Sequence, residues 1–557
     1  MSNSDIADLI KSYADLSELH GGDPFKIKSY AAASFRIDKL SIPLAGLNLQ
    51  ELQAIEGIGK SIAAKIYDIN TTQTFKELKD LVDATPKGIR DMMHVKGIGP
   101  KKIAMIWKEL EIENIGELLY ACKENRLAQA KGFGLKTQEN IQAQIEFMFV
   151  SANKFHYARA LPAAHNLISQ LQKIEGINNA SLTGEIRRKM EVLERIDILL
   201  SSNDVQLVQQ KLKAANLMVE PKENGSGMSG KFEGYPVMIN IVQDKDFVSE
   251  LFKQTGSLTH VNKVLFKVGS TQLTFENESA LYEAAKLNFI EPEMREARGE
   301  IERAAKGNLP KLIEYTDLTG PLHNHSTWSD GLNTIAEMAA FCIKQNYQYL
   351  GMADHSKSAF YANGLTEEKV LAQQKEIAAL NEKYGNDFKI FAGIECDILY
   401  DGNLDYDKDI LATFDYVVAS VHSILKMNED KAMSRLIKAV ENPYTTILGH
   451  PTGRLLLMRE GYPVNYPKLI DACAANGVVI EVNANPYRLD LDWRYIDYAM
   501  NKGVMLSINP DAHELEGFYD MFYGVESARK GGLTKEMCLN ALDLVALDTY
   551  FKKRKPK

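Results

Sequence analysis

The chain has 557 residues, 45% hydrophobic and 25% charged, with a formal net charge of −9 at pH 7. Such a length divides into several domains that each bury a core, and the acidic balance excludes holding nucleic acid by bulk positive charge. No apolar stretch reaches membrane-spanning length, the first residues lack the regions of a signal peptide, and the five cysteines form no CxxC pair; a cytoplasmic protein with reduced thiols and no membrane partner is expected.

Residues 1 to about 145 read as short helices joined by polar turns, and they contain a repeat. Ile55-Glu56-Gly57-Ile58-Gly59-Lys60-Ser61-Ile62-Ala63-Ala64-Lys65-Ile66 recurs as Val95-Lys96-Gly97-Ile98-Gly99-Pro100-Lys101-Lys102-Ile103-Ala104, with a looser third copy over residues 130–136. The glycines permit a tight turn, and the helix that follows presents unpaired N–H groups to a phosphate. This pattern resembles the helix-hairpin-helix motif, which grips the DNA backbone without reading sequence. The resemblance implies DNA contacts at Gly57, Gly59, Lys60, Lys65, Gly97, Gly99, Lys101 and Lys102. Residues 1–150 carry 19 Lys and Arg against 20 Asp and Glu, so these turns rather than a general field must hold the DNA. The segment also resembles the lyase domain of family X DNA polymerases, in which Lys65 matches a Schiff-base lysine; a lysine beside such a turn also serves simply to neutralise phosphate.

From about 150 to 300, helices mix with strands such as Ile196-Asp197-Ile198-Leu199-Leu200 and Pro236-Val237-Met238-Ile239-Asn240-Ile241. Gly184-Glu185-Ile186-Arg187-Arg188 and then Arg195-Ile196-Asp197 resemble the palm of family X DNA polymerases. The family pattern is Gly-Ser-x-Arg-Arg, then Asp-x-Asp, with a third aspartate on a neighbouring strand. Asp197 is kept, but Arg195 replaces the first aspartate and Met238 stands where the third belongs. Glu185 replaces a serine that would face a triphosphate, and Lys253-Gln254 stand where the family has two aromatic residues. Polymerisation needs the carboxylates to hold two Mg²⁺ ions. A guanidinium about 4 Å from a divalent ion repels it by several kcal/mol even at an effective dielectric of ~20. The resemblance therefore implies a palm that does not hold Mg²⁺, with Arg187 and Arg188 left either to contact DNA or to form surface ion pairs.

Six of the eleven histidines follow residue 300, and each ends an apolar run. Strand ends near residues 323, 354, 395, 421, 449, 482 and 509 predict seven βα units closing into a distorted (β/α)₇ barrel, with chemistry at the C-terminal strand ends. His323 and His325, two apart, face one side of a strand. With Asp330, His355, Glu395, His422, His450, Asp511 and His513 they make nine candidate metal ligands, more than one ion uses, so two or three divalent ions bridged by Glu395 are expected. A set without thiolate suits zinc, manganese or iron and does not choose among them. The stretches His-Asn-His-Ser-Thr-Trp-Ser-Asp-Gly, Ala-Asp-His-Ser, Gly-Ile-Glu-Cys-Asp, Ser-Val-His-Ser, Gly-His-Pro-Thr-Gly-Arg and Asn-Pro-Asp-Ala-His resemble the successive motifs of the PHP (polymerase and histidinol phosphatase) domain. All nine positions match its metal ligands; Pro321 departs from a frequent aspartate that is not a ligand. The resemblance implies metal-dependent phosphoester hydrolysis, with Arg454 and Arg488 either holding substrate phosphate or making surface salt bridges.

Over nearly its whole length the chain resembles the bacterial PolX arrangement. The implied domains are a lyase-like helix-hairpin-helix domain at 1–85, a second, fingers-like one at 86–148, an α+β palm at 149–245, a thumb-like region and connector at 246–310, and a PHP domain at 317–550. The implied function is a monomeric DNA-repair phosphoesterase, a manganese-stimulated 3′→5′ exonuclease on gapped or single-stranded DNA ends, with 3′-phosphatase or abasic-site endonuclease activity as related options. Two rivals stay open: a gap-filling polymerase using displaced carboxylates such as Glu191 or Glu194, and a non-enzymatic DNA-end scaffold with structural metals.

Overall fold

The computed structural model describes residues 1–556 apart from 124–125, 152–153, 270–273 and 458–459. It resolves into two compact units, Met1–Asn153 and Lys154–Lys557.

The first unit is helical. Ser2 and Asp5 form a reciprocal capping box at the start of the helix Asn3–Leu19, and Asp23 caps the helix Pro24–Asp38, which opens on a proline. Ile6, Ile10, Ile37, Ile66, Ile103 and Ile106 lie in one core. The three repeat copies share one turn: Gly57, Gly97 and Gly132 sit at φ +85°, +90° and +85°, a region that favours glycine. The N–H groups of Ile58, Ile98 and Phe133 each bond the carbonyl three residues back.

The second unit begins with β1 (Phe155–His156), β2 (Asn179–Thr183), β3 (Val192–Leu193), β4 (Ile196–Ser201), β5 (Val219–Asn224), β6 (Gly227–Phe232) and β7 (Tyr235–Val242). β1 and β3 form a two-stranded antiparallel ribbon; the other five make one sheet in the order β2-β4-β7-β6-β5. Val237, Ile239 and Ile241 alternate inward along β7 and pack with Ile196, Ile198 and Leu200 of β4. β4 and β7 run parallel with Asp197 opposite Met238. Helices Phe247–Thr255, Leu258–Val268, Glu278–Ala284 and Glu300–Lys306 follow, around a core that includes Phe252, Leu281 and Tyr282.

Six further strands, β8 (Tyr349–Met352), β9 (Lys389–Asp397), β10 (Tyr416–Ser420), β11 (Ile447–Leu448), β12 (Val479–Asn483) and β13 (Leu506–Asn509), lie side by side in chain order and all parallel. Every residue of β8, β10, β12 and β13 is buried, as in a parallel sheet covered on both faces. The expected seventh strand is not regular. Pro321 has no N–H for a ladder and His323 takes φ +64°, so residues 321–325 form only isolated links. Those links reach both edges of the sheet: Gly351 N–H donates to the Pro321 carbonyl at 2.9 Å, Ala353 N–H to the Asn324 carbonyl at 2.8 Å, and His325 N–H to the Ala512 carbonyl at 2.8 Å. The result is a curled half-barrel bridged by an irregular segment. Tyr349, Phe391 and Tyr416 fill its interior below the site, and Phe551 of the helix Leu544–Arg554 stacks on Tyr416 with ring centroids 4.9 Å apart. The N-terminal end of the sheet is therefore plugged, and the C-terminal ends of its strands stay available for chemistry. No helix among the described residues is long and apolar enough to cross a membrane, and all five cysteines are unpaired and buried.

Lys530 ties the central α/β region, the following helices and the half-barrel together. Its buried ammonium pairs with Glu296, donates to the Arg188 and Glu293 carbonyls at 3.1 and 3.3 Å, and lies 4.5 Å from the Trp493 ring. Burial pushes this amine down to about 8, from 10.5 in the open chain, against the pull of Glu296. Between those values the unfolded chain holds the proton that the folded chain releases, so this residue's contribution to stability rises with pH. Relative to Lys530→Met, the wild-type chain is expected to gain on the order of 3 kcal/mol between pH 8 and 10.5, read as a shift in urea unfolding midpoint.

Candidate metal centre

The candidate ligands converge because the strands end together. His355 lies three residues past β8, Glu395 is within β9, and His422 and His450 each lie two past β10 and β11. Asp511 and His513 follow β13 by two and four residues, and the bridging segment carries His323 and His325. The loop bearing Asp330 is fastened by buried Asp354, which accepts from Ser326 N–H at 2.7 Å, from the hydroxyls of Ser326 and Ser329 at 2.9 and 2.6 Å, and from Gln373 at 2.6 Å.

Glu395 is the hub. Its Oε1 lies 3.1, 3.2 and 3.0 Å from the Nε2 atoms of His323, His422 and His450, and its Oε2 lies 3.0 Å from His355 Nδ1 and 3.7 Å from His325 Nε2. Asp511 Oδ1 is 3.0 Å from His325 Nε2 and 3.6 Å from His323 Nε2. Asp330 faces His513 Nε2 at 3.5 Å and His355 Nε2 at 3.7 Å. Three overlapping ligand groups result: His325, Asp330, His355 and His513; His323, His325 and Asp511; and His355, Glu395 and His422. His450 joins them through Glu395.

The electrostatics favour positive charge. Burial raises Glu395, Asp511 and Asp330, yet the surrounding imidazoles outweigh it: Glu395 and Asp511 are held well below the carboxylate range, and Asp330 falls to about 2. Against burial, Glu395 and Asp397 lift His422 to about 10, and Asp330 and Asp511 lift His513 to about 9. His325 goes the other way, to about 3, through burial and then through His513 and His355; its ring stacks on His513 with centroids 4.2 Å apart. Within this charge-rich interior, His323 Nε2, His325 Nδ1 and Glu395 Oε2 have no hydrogen-bond partner. Buried orphan lone pairs are costly unless a cation takes them. The donor set and these orphan atoms fit divalent metal ions. His323 and Asp511 also hold left-handed backbone, φ +64° and +54°, a strain of about 1–3 kcal/mol each that clusters at functional sites.

Two carboxylates that sequence reasoning missed orient the imidazoles. Glu481 of β12 binds His323 Nδ1 at 2.6 Å and accepts from the His450 N–H at 3.1 Å, from Asn483 at 3.0 Å and from Asn509 at 2.9 Å. Asp397 binds His422 Nδ1 and accepts from the Ser358 hydroxyl at 2.8 Å. Such partners fix the tautomer and aim the other nitrogen at a metal. A lone glutamate in the apolar run Val478-Val479-Ile480-Glu481-Val482 was the available signal for Glu481. Glu481→Gln is expected to weaken metal binding by about 10–100-fold, measured by chelator competition, while leaving the fold intact.

Other expected contacts fall in different surroundings. Arg488 stays at the centre, its Nε 3.7 Å from Asp511 Oδ2. Arg454 does not face it: the guanidinium is spent on Asp492 at 2.8 Å and on the carbonyls of Arg488 and Leu489. Arg187 forks onto Glu278 at 2.6 and 3.2 Å and Thr255 Oγ1 at 2.6 Å, and Arg188 binds Glu296 at 2.9 Å and the Thr255 carbonyl at 2.7 Å. Both are part-buried internal ion pairs rather than surface contacts. Arg195 Nε pairs with Asp197 at 2.7 Å, and among the described residues of the central α/β region no three metal-ligating side chains meet. Glu191 is committed to Trp493 and Arg494. In the helical unit, Gly59 and Gly99 cap the helices Lys60–Thr72 and Pro100–Lys108 without a side-chain bond, as a phosphate-binding turn requires. Lys60 and Lys101 are exposed and Lys102 lies 5.4 Å from the Phe133 ring. Lys65 departs from the expected surface contact: it is buried, 2.5 Å from Glu77 and against the rings of Phe75 and Tyr13 at 4.5 and 5.0 Å.

Comparison with known proteins matches this layout. A helix-hairpin-helix domain model covers residues 1–75, a SAM-like helix-hairpin-helix tandem covers 49–111 and again 89–146, and a PHP domain model covers 321–485. The chain is 34% identical over 577 residues to the DNA polymerase/3′-5′ exonuclease PolX of Bacillus subtilis (strain 168), spanning 99% of this chain and 100% of that protein. A protein named a probable phosphatase in Thermoanaerobacter sp. (strain X514) is 26% identical over 252 residues, 42% of this chain and 95% of its own. Another, from Caldanaerobacter subterraneus subsp. tengcongensis, is 27% identical over 208 residues, 34% of this chain and 74% of its own.

Proposed function

Because the chain belongs to the PolX family, we propose that it is a DNA-repair phosphoesterase whose working centre is the PHP half-barrel, a 3′→5′ exonuclease on gapped or single-stranded DNA ends. The observation that carries this reading is Glu395 gathered with five imidazoles at 3.7 Å or less, with buried nitrogen and oxygen atoms there left without hydrogen-bond partners. His323, His325, Asp330, His355, Glu395, His422, His450, Asp511 and His513 would hold two or three ions, with Glu395 shared. Divalent ions there would supply Lewis-acid activation of phosphate and water. The chain's own side chains do the rest: Glu481 and Asp397 hold imidazole protons on the far nitrogens, and Arg488 takes the non-bridging phosphate oxygens of the scissile nucleotide. The glycine turns at Gly57, Gly97 and Gly132 grip the DNA backbone, with Lys60, Lys101 and Lys102 beside them.

The palm serves this reading as an inert support. Arg195 neutralises Asp197, Met238 stands opposite it, and Glu191 is occupied elsewhere, which weighs against the rival use of Glu191 as a displaced carboxylate and leaves Glu194 as the other carboxylate that reading would need. The test is a panel of 5′-labelled single-stranded, gapped, 3′-phosphate and abasic DNA assayed with Mn²⁺, Zn²⁺ and Fe²⁺. Stepwise shortening from the 3′ end is expected. Full metal occupancy with every phosphoester left intact would instead identify a scaffold.

A further inference from the structure

The ribbon of β1 and β3 meets the half-barrel beside the turn that carries Arg488. Glu191, one residue before β3, is buried and accepts from Trp493 Nε1 at 3.0 Å and Arg494 Nη1 at 2.9 Å. Arg494 also pairs with Asp492 at 3.0 Å, Asp492 with Arg454 at 2.8 Å, and Arg454 Nε donates to the Arg488 carbonyl at 2.9 Å. From the other strand, His156 Nε2 contacts the Leu456 carbonyl at 2.9 Å, and its ring packs edge-on against Tyr487 with centroids 4.6 Å apart. Leu456 N–H donates in turn to the Tyr487 carbonyl at 2.6 Å. The turn at 485–491 belongs to no regular strand or helix; Arg488 and Leu489 N–H donate to the Asn485 carbonyl at 2.8 and 3.1 Å, and the outside contacts add to these bonds. Tyr487 is therefore touched by the ribbon directly, and the Arg488 carbonyl is linked to it through Arg454, Asp492 and Arg494. The line Glu191, Arg494, Asp492, Arg454 alternates in sign, so its charges compensate one another while each side chain fixes the next.

We infer that this ribbon braces the hydrolytic centre: Glu191 and His156 are positioning residues that hold Arg488 in line with Asp511 and so set its grip on the phosphate of a DNA end. The inference rests on the proposed phosphate role of Arg488. It also gives a palm that lacks two of its three metal carboxylates a reason to keep its fold.

The test uses the full chain loaded with Mn²⁺ and a 5′-labelled single-stranded oligonucleotide. Glu191→Ala is expected to raise KM about tenfold with kcat within about twofold, because a phosphate grip is mis-aimed while the metal ligands are untouched. Glu191→Gln, which keeps an acceptor for Trp493 and Arg494, is expected to bring KM back to within about threefold of wild type. In an Arg488→Ala background, Glu191→Ala should have no further effect on KM, since the two act through one contact. An unchanged KM in Glu191→Ala, or an equal rise with and without Arg488, overturns the brace while wild-type exonuclease activity stands. A metal-loaded wild-type chain that releases no nucleotide, or an Arg488→Ala chain with unaltered KM, overturns the parent reading and the brace together.

Discussion

Replacing His325 and Glu395 together by alanine is expected to lower Mn²⁺-dependent nucleotide release from a 3′ end by at least about 10³-fold, a loss of about 4 kcal/mol in transition-state stabilisation. Glu395 contacts five imidazoles, and His325 lies between Asp511 at 3.0 Å and the stacked ring of His513, so the pair belongs to all three ligand groups. Removing both leaves His323, His422 and His450 without the carboxylate they face. Metal content, measured on the purified variant, should fall in step with activity. Since Glu395 is buried within β9, the alanine also opens a cavity, and Glu395→Gln separates the two effects by keeping the volume and removing the charge. That isosteric variant should keep its unfolding midpoint within a few degrees yet lose most of its metal. Wild-type rates of degradation in the double variant would falsify the assignment of the centre.

The candidate ligands were legible because most stand at or near the close of an apolar run, and strand ends in a parallel sheet share one rim. The glycine repeats were legible because a left-handed turn constrains residue type, and the third copy at Gly132 adopts the same φ as the first two. What the sequence hid depends on three-dimensional orientation. Glu481 and Asp397 stand behind the histidines, and only the ring orientations of His323 and His422 reveal their work. Arg187 and Arg188 read as DNA contacts because their partners, Glu278 and Glu296, lie 91 and 108 residues away. The burial of Lys65 was closer to readable, since Ile62, Ile66 and Ile69 place the same helix face in the core. The first barrel segment escaped because a run that begins at Pro321 matches a strand in polarity but not in hydrogen-bonding capacity.

Template-directed nucleotide incorporation into gapped DNA with Mg²⁺ or Mn²⁺ is expected to stay at background, and Asp197→Ala is expected to change nothing. Two separate deficits lead there. The first concerns metal: Asp197 carries an arginine at 2.7 Å instead of an aspartate partner, and Met238 faces it across β4 and β7. Two unit charges about 4 Å apart interact by about 4 kcal/mol at an effective dielectric of ~20, so exchanging a carboxylate for a guanidinium moves a divalent ion's energy by more than that. The second concerns the triphosphate: Arg187 and Arg188, which could have gripped it, are fixed on Glu278, Glu296 and Thr255. Arg195→Asp combined with Met238→Asp should therefore restore Mg²⁺ binding at the palm, detectable by metal titration, without restoring synthesis. Incorporation in the wild-type chain that vanishes with Asp197→Ala would mean that the carboxylates regroup once DNA is bound, and the palm would then be a working polymerase.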